Sequence, residues 1–306
     1  MAPMQMSFLA RNETLILLLR MTAAVLIPLQ TAFASAGIHH PTDRADAGLI
    51  GNVSTIETIE DLVRETHSYD RSGRLLQRVQ EPVEGQGGIG RIAVTSEYDS
   101  AGLSRLDTIR DHAGAPIKHT VYLHDDHGRR LAEVTAWADG MFANSSFYEY
   151  DDKNRRIREL HFNAPNLINQ NRYRYDNQGR MVEEIYSRNY EYEEGSGQLR
   201  QFPRATAGYH VTVRYNEKGF IGEKLISDLR GVRQSRSEFD YDPHGQQTEE
   251  RIYDRNGRLT GRKRYEYSYD ARGNWITETL HWWTFAAGGP HLKQAHSRRR
   301  VIVYFP

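Results

Sequence analysis

The sequence predicts an all-β protein: an antiparallel meander of about sixteen strands, built from hairpins and curled into an open spiral or partial shell. Three observations carry this. A turn motif opening with Tyr-Asp recurs along the chain, and the segments between its copies alternate residue by residue. Only 38% of the 306 residues are hydrophobic, yet aromatics reach 10% with 18 tyrosines, a balance too aromatic for disorder and too thin for one thick core.

Charge and cysteine content remove several classes of function. Lys+Arg and Asp+Glu both total 40, so no net charge draws the chain to nucleic acid or an anionic membrane. The absence of cysteine excludes disulfides, thiolate metal sites and thiol catalysis.

The first element is an address. Arg11 precedes the apolar run Thr14–Leu19, Met21–Leu29 forms a second run, and small residues follow through Ala34-Ser-Ala36. Residues 1–36 thus read as a signal peptide cleaved after Ala34 or Ala36, directing the chain to the periplasm or outside the cell. Arg20 interrupts the apolar stretch, so no membrane span is expected after cleavage. Residues 37–60 read as a lead segment, and 61–306 as the repeat domain with a long loop at about 187–208. Within the lead, Ser54-Thr-Ile-Glu57 has the pattern of a helix cap, while Leu62–Tyr69 alternates like a first strand, the reading preferred here.

The repeat comes next. Tyr69-Asp-Arg-Ser-Gly-Arg74 returns at Tyr98, His124, Tyr150, Tyr175, Tyr215, Tyr241 and Tyr269, at intervals of 29, 26, 26, 25, 40, 26 and 28 residues. The turn residues are Asp70 and Gly73, Asp99 and Gly102, Asp125 and Gly128, Asp151 and Asn154, Asp176 and Gly179, Asn216 and Gly219, Asp242 and Gly245, and Asp270 and Gly273. A further copy, Asp254 with Gly257, lies midway between the last two, and degenerate forms sit at Asp111 and Asp228. An Asp opening a turn accepts backbone N–H bonds from residues ahead of it, and the Gly three residues later supplies positive φ. The pattern is a type I turn with a G1 bulge. Asn154 fits that slot because Asn is the next residue to tolerate positive φ.

Between turns, Tyr265, Tyr267 and Tyr269 share one face while Arg264, Glu266 and Ser268 share the other. A period near 26 equals two strands of about nine residues and two turns of about four. So wide a sheet curls, with the stripe of Tyr148, Tyr173, Tyr175, Tyr241 and Tyr267 facing inward. A membrane barrel is disfavoured, because Ile157, Glu159 and His161 alternate with Arg156, Arg158 and Leu160, leaving no apolar face for lipid.

Over residues 60–280 this pattern resembles the RHS/YD-repeat family, whose signature Tyr-Asp-x-x-Gly-Arg recurs every twenty-odd residues. The resemblance implies a strip of β-hairpins wound into a spiral, which long members close around a toxin or other passenger. This chain is short for a complete cocoon and shows neither a self-cleavage region nor a variable toxin domain.

Candidate binding residues lie where the repeat breaks. The 40-residue interval holds Tyr190, Tyr192, Arg200 and Arg204, and the C-terminal segment, read as a terminal hairpin, holds Trp282 and Trp283. Tyrosine and tryptophan bury large area at low entropic cost, so the expected ligand is a glycan or another exported protein. No catalytic set, metal site or cofactor site stands out from the repeat, and the chain reads as a non-enzymatic scaffold or binding module. The alternatives are an exported hydrolase with its site at the 186–209 loop, and an accessory or shell fragment of a polymorphic toxin system. If the address is real, mass spectrometry of protein from the native host will find an N-terminus at Ser35 or Gly37; an intact soluble Met1 form contradicts it.

Overall fold

The computed structural model describes residues 43–60, 62–83, 90–163, 166–192, 199–201, 207–286 and 289–306. The signal-peptide reading of residues 1–36 and Arg204 therefore lie outside the described residues. A one-turn helix, α1 (Asp43–Asp46), precedes the strands β1 (Val53–Glu60), β2 (Val63–Tyr69), β3 (Leu75–Pro82), β4 (Ile92–Tyr98) and β5 (Ser104–Arg110). Next come β6 (Pro116–His124), β7 (Arg130–Trp137), β8 (Phe142–Tyr150), β9 (Arg156–Asn163), β10 (Asn166–Tyr175) and β11 (Met181–Arg188). A small ribbon, β12 (Tyr190–Tyr192) with β13 (Leu199–Gln201), occupies the long loop. The remaining strands are β14 (Gly208–Tyr215), β15 (Ile221–Asp228), β16 (Arg233–Tyr241), β17 (Gln247–Asp254), β18 (Leu259–Tyr269), β19 (Trp275–Ala286) and β20 (Gly289–Tyr304).

Apart from the ribbon, each strand pairs antiparallel with its sequence neighbour, and β11 pairs with β14 across the loop. The last strand then meets the first: Ile56 lies opposite Ile302 and Thr58 opposite Arg300. The sheet is a closed ring of 18 strands, not an open spiral of about sixteen. The correction arises at the chain ends. Residues 53–60, assigned to the lead, form β1 rather than a capped helix, and residues 289–304 form a strand long enough to pair with both β19 and β1. Closure removes the two unpaired edges that an open strip would expose.

The motif turns adopt the expected geometry. At each, the Asp N–H bonds the carbonyl four residues on and the Gly N–H returns to the Asp carbonyl, as at Asp176, Arg180 and Gly179. Gly179 has φ 81° and Asn154 has φ 61°. The partner strand slips by one residue beside these turns, between Arg174 and Tyr175 for example, which is the bulge. All eight principal turns lie on one rim, because one period spans two strands. The midway copy at Asp254 and the degenerate Asp111 and Asp228 turns lie on the opposite rim, with the long loop.

Successive motif turns are locked together. Asp176 Oδ1 accepts the N–H groups of Gln178 and Arg180, and Oδ2 accepts Arg180 Nε at 2.8 Å. The Arg180 guanidinium lies 4.4 Å from the ring of Tyr215 in the next repeat, whose hydroxyl donates to the Met181 carbonyl at 2.7 Å. The same lock joins Arg74 to Tyr98, Arg129 to Tyr150 and Arg155 to Tyr175. Further on, ring stacking replaces it: Phe220 on Tyr241 at 4.8 Å and His244 on Tyr269 at 4.0 Å. At the seam, Arg272 stacks on Tyr304, whose hydroxyl donates to Asp270.

The tyrosine stripe is the more covered face in β10 and β18: Tyr173, Tyr175, Tyr265 and Tyr267 are half-buried while Arg172, Arg174, Arg264 and Glu266 are exposed. Tyr148 is buried, and Tyr241 half-buried. An apolar cluster of Leu49, Val53, Ile56 and Tyr69, flanked by Leu75, Ile302 and Tyr304, sits at the seam where the ring closes. A Cβ at Gly179 meets no neighbour, so only backbone strain opposes substitution there. Gly179→Val will destabilise by about 1–2 kcal/mol, whereas Gly179→Asn will be mild; equal losses in denaturant melts exclude the bulge mechanism.

Candidate functional site

Of the residues singled out at the repeat breaks, the described ones lie on separate strands, β12, β13 and β19. Tyr190 is half-buried at the start of the ribbon, opposite Gln201. Tyr192 pairs with Leu199 and Arg200 with Glu191 through the backbone; their side chains lie outside the described residues, as does all of Arg204. Trp282 and Trp283 sit on β19, separated from the ribbon's flanking strands β11 and β14 by β15–β18. Being consecutive in a strand, they point to opposite faces. Trp282 lies between Lys263 and Lys293, whose Nζ atoms are 5.4 and 4.0 Å from its ring. Trp283 stacks on His281.

The structure gathers a different group of side chains. Where β8, β9 and β10 approach the loop-bearing rim, a cleft of about 360 Å³ opens, lined by Asn144, Ser146, His161, Asn163 and Asn169 with Phe162 and Ile168. A bulge between Leu167 and Asn169 re-aims β10 and sets Asn169 opposite His161. The ribbon is anchored at the same place, since the Asn189 N–H donates to the Ile168 carbonyl at 2.7 Å.

Ser146 and His161 are direct cross-strand partners, with Ser146 Oγ 2.9 Å from His161 Nδ1. Glu159, two residues before His161 on the same face, holds the other ring nitrogen: Oε1 lies 3.2 Å from Nε2. Glu159 is itself braced, accepting the Tyr173 hydroxyl at 3.0 Å and Arg156 at 3.3 Å on Oε2. The His161 hydrogen bond outweighs burial and, with Tyr173, holds the Glu159 carboxyl below its usual range. Burial, then the Glu133 and Glu159 charges, push the neighbouring Tyr148 phenol up to about 12.

Sequence reasoning missed this cluster. Its sequence signal is Glu159-x-His161 on alternate strand positions, but the serine that completes it depends on a cross-strand register that spacing alone does not supply. A serine–histidine contact is not distinctive by itself: Thr108 and His119 make a similar cross-strand pair at 3.2 Å. Among the described residues, no carboxylate lies within ion-pair distance of His119. Carboxylates also stand behind His67 and His210, but the hydroxyl at His67 Nδ1 is the Tyr69 phenol at 3.4 Å, so what distinguishes the cleft is an aliphatic hydroxyl and a carboxylate on the same imidazole.

No family model and no curated protein matches the chain. Among solved structures, it is similar to a porin-like protein from Bacteroides uniformis, at 13% identity and TM-score 0.48, covering 82% of this chain and 98% of that one. A porin-like protein from Bacteroides vulgatus gives 10% identity and TM-score 0.35, covering 83% and 98%. The TcdB2-TccC3-TEV structure gives 12% identity and TM-score 0.22, covering 76% of this chain and 15% of that one. Likeness at this level carries no argument about function.

Tyr148 binds its proton more tightly when folded than an ordinary phenol near pH 10 does. Its contribution to stability is therefore complete below pH 10 and is lost as pH rises through about 12. Glu159→Gln removes one of the charges that raise this value, so the Tyr148 phenol will ionise at lower pH in a site-resolved NMR titration; an unchanged midpoint contradicts the assigned cause.

Proposed function

We propose that the protein is an exported, water-filled β-shell of YD-repeat type that acts as a glycan-binding scaffold. The observation that carries this reading is charge on both faces of a closed ring. The tyrosine face holds Glu65, Glu133, Glu159, Lys263 and Glu278; the opposite face holds Arg174, Glu223, Glu238, Arg251 and Arg264. Eighteen strands spaced about 4.8 Å and tilted about 40° enclose a ring roughly 35 Å across, far wider than the 10 Å that two facing layers of side chains fill. Water therefore contacts both faces.

The signal-like N-terminus supports export, and the Tyr-Asp-x-x-Gly turns support the YD-repeat assignment. The glycan assignment rests on the cleft, where Asn144, Asn163 and Asn169 offer amide donors and acceptors beside His161. A membrane-embedded barrel is the competing reading, favoured by ring closure and opposed by charge: an Arg or Lys facing lipid costs roughly 2–4 kcal/mol at the midplane. The test is flotation. Detergent-free protein will stay monodisperse and remain below phosphatidylcholine vesicles in a density gradient, and glycan-array binding will weaken in Asn144→Ala and Asn169→Ala. Co-flotation with dye release from the vesicles overturns the shell reading, and binding to no glycan overturns the ligand assignment.

A further inference from the structure

We propose that the cleft between β8, β9 and β10 is an ester-hydrolysing site in which Ser146 is the nucleophile, His161 the general base and Glu159 the residue that positions the imidazole. The juxtaposition meets the geometric requirements of an activated serine: a nucleophile–base hydrogen bond and a base–carboxylate hydrogen bond on the far side of the ring. The two distances are 2.9 and 3.2 Å.

The proton arrangement follows from the acceptors. A carboxylate only accepts, so His161 Nε2 carries the hydrogen that Glu159 receives. Nδ1 is then the lone-pair nitrogen, and the Ser146 hydroxyl donates to it. This tautomer is the one that can remove the serine proton. Tyr173 and Arg156 hold Glu159 from the other side, so the carboxylate stays ionised and oriented behind the ring.

In acylation the Ser146 oxygen bonds to the ester carbonyl carbon while its proton passes to His161 Nδ1. The carbon–oxygen bond to the alcohol then breaks, and the departing oxygen takes that proton. In the second half, water gives a proton to His161 and adds to the acyl-serine, the serine oxygen recovers the proton, and the carboxylic acid leaves. The ring's ladder uses the strand N–H groups, so donors for the intermediate's oxyanion come from side chains. Asn144, two residues before Ser146, and Asn169, opposite His161, are placed for that role. Ile168 adds an apolar contact to the cleft, whereas the Phe162 ring packs on Phe147 on the other face of the sheet, and about 360 Å³ fits a short acyl chain. Ser146 is only 5% exposed, and the cleft is a concave surface that it lines.

The test is covalent labelling of the folded chain with a fluorophosphonate, read by peptide mass spectrometry, together with p-nitrophenyl acetate hydrolysis. The expected result is one adduct at Ser146 and none at Thr108, with labelling and turnover falling by about 100-fold or more in Ser146→Ala and His161→Gln. Glu159→Gln will lower kcat with KM unchanged, the signature of a lost positioning contact rather than a distorted cleft. Absence of an adduct on folded wild-type protein overturns the proposal, as does an adduct at Ser146 that forms equally fast in His161→Gln. Neither outcome depends on glycan binding or on vesicle flotation, so this assignment and the shell reading fail separately.

Discussion

The turn aspartate is the contact on which the architecture depends. One carboxylate does three things at Asp70, Asp125, Asp151 and Asp176. It closes the turn by accepting two backbone N–H groups, or at Asp70 the Arg74 N–H and the Ser72 hydroxyl, grips the Arg four residues on, and thereby aims that guanidinium at the tyrosine of the next hairpin. The tyrosine answers with a hydrogen bond to the carbonyl just beyond the arginine. Each element is modest alone, about 0.5–1.5 kcal/mol for the neutral hydrogen bond and a similar amount for a cation–π contact. Repetition along a rim makes a thick core unnecessary, which is how a chain of such low hydrophobicity holds a ring of eighteen strands together.

Where the lock changes chemistry, the geometry persists. Leu103 takes the arginine slot and His124 the tyrosine slot, so the Asp99 turn closes on its own backbone bonds without the stacked cation. Phe220 and His244 stack on the following tyrosine in place of arginine. At the seam the lead segment joins in: Asp43 accepts the Leu75 N–H and the Tyr98 hydroxyl, and Asn274 bonds the Ile50 backbone at both its N–H and its carbonyl. The segment before β1 thus bridges turns near the first and last strands of the ring. This division of labour frees the opposite rim. Its connections vary in length and sequence, and the cleft opens there.

The turns, the strands and the tyrosine stripe were legible because each is dictated locally, by an Asp, a Gly or Asn at positive φ, and a two-residue alternation. Closure was not, because β1 is identified by its partner. Ser54-Thr-Ile-Glu57 satisfies a helix cap as well as a strand, and only Ile302 and Arg300, some 245 residues away, decide between them. The cleft was hidden for the same reason. Ser146, His161 and Asn169 meet through two registers, one of them shifted by a bulge. A one-residue slip would send each side chain to the wrong face. The opposed directions of Trp282 and Trp283, by contrast, follow from strand alternation alone.

Charge on both faces also bears on how the ring stays shut. On the face opposite the tyrosines, Glu223, Arg236, Glu238, Arg251, Glu249 and Arg262 form a continuous ladder across β15–β18, each charge touching one of opposite sign on an adjacent strand. Exposed pairs of this kind contribute little singly. In the native register like charges stand directly opposite each other, Glu223 facing Glu238 and Arg251 facing Arg262, and the bridges that neutralise them run diagonally, with Arg236 reaching both glutamates. At the seam, by contrast, the strands meet through the buried packing of Val53 and Ile56 against Ile302 and Tyr304. The cleft lies between these regions, with a register pinned by hydrogen bonds between Ser146, His161 and Glu159 and by the bulge at Leu167–Asn169, so the polar cluster proposed to carry the chemistry also serves to align the strands that present it.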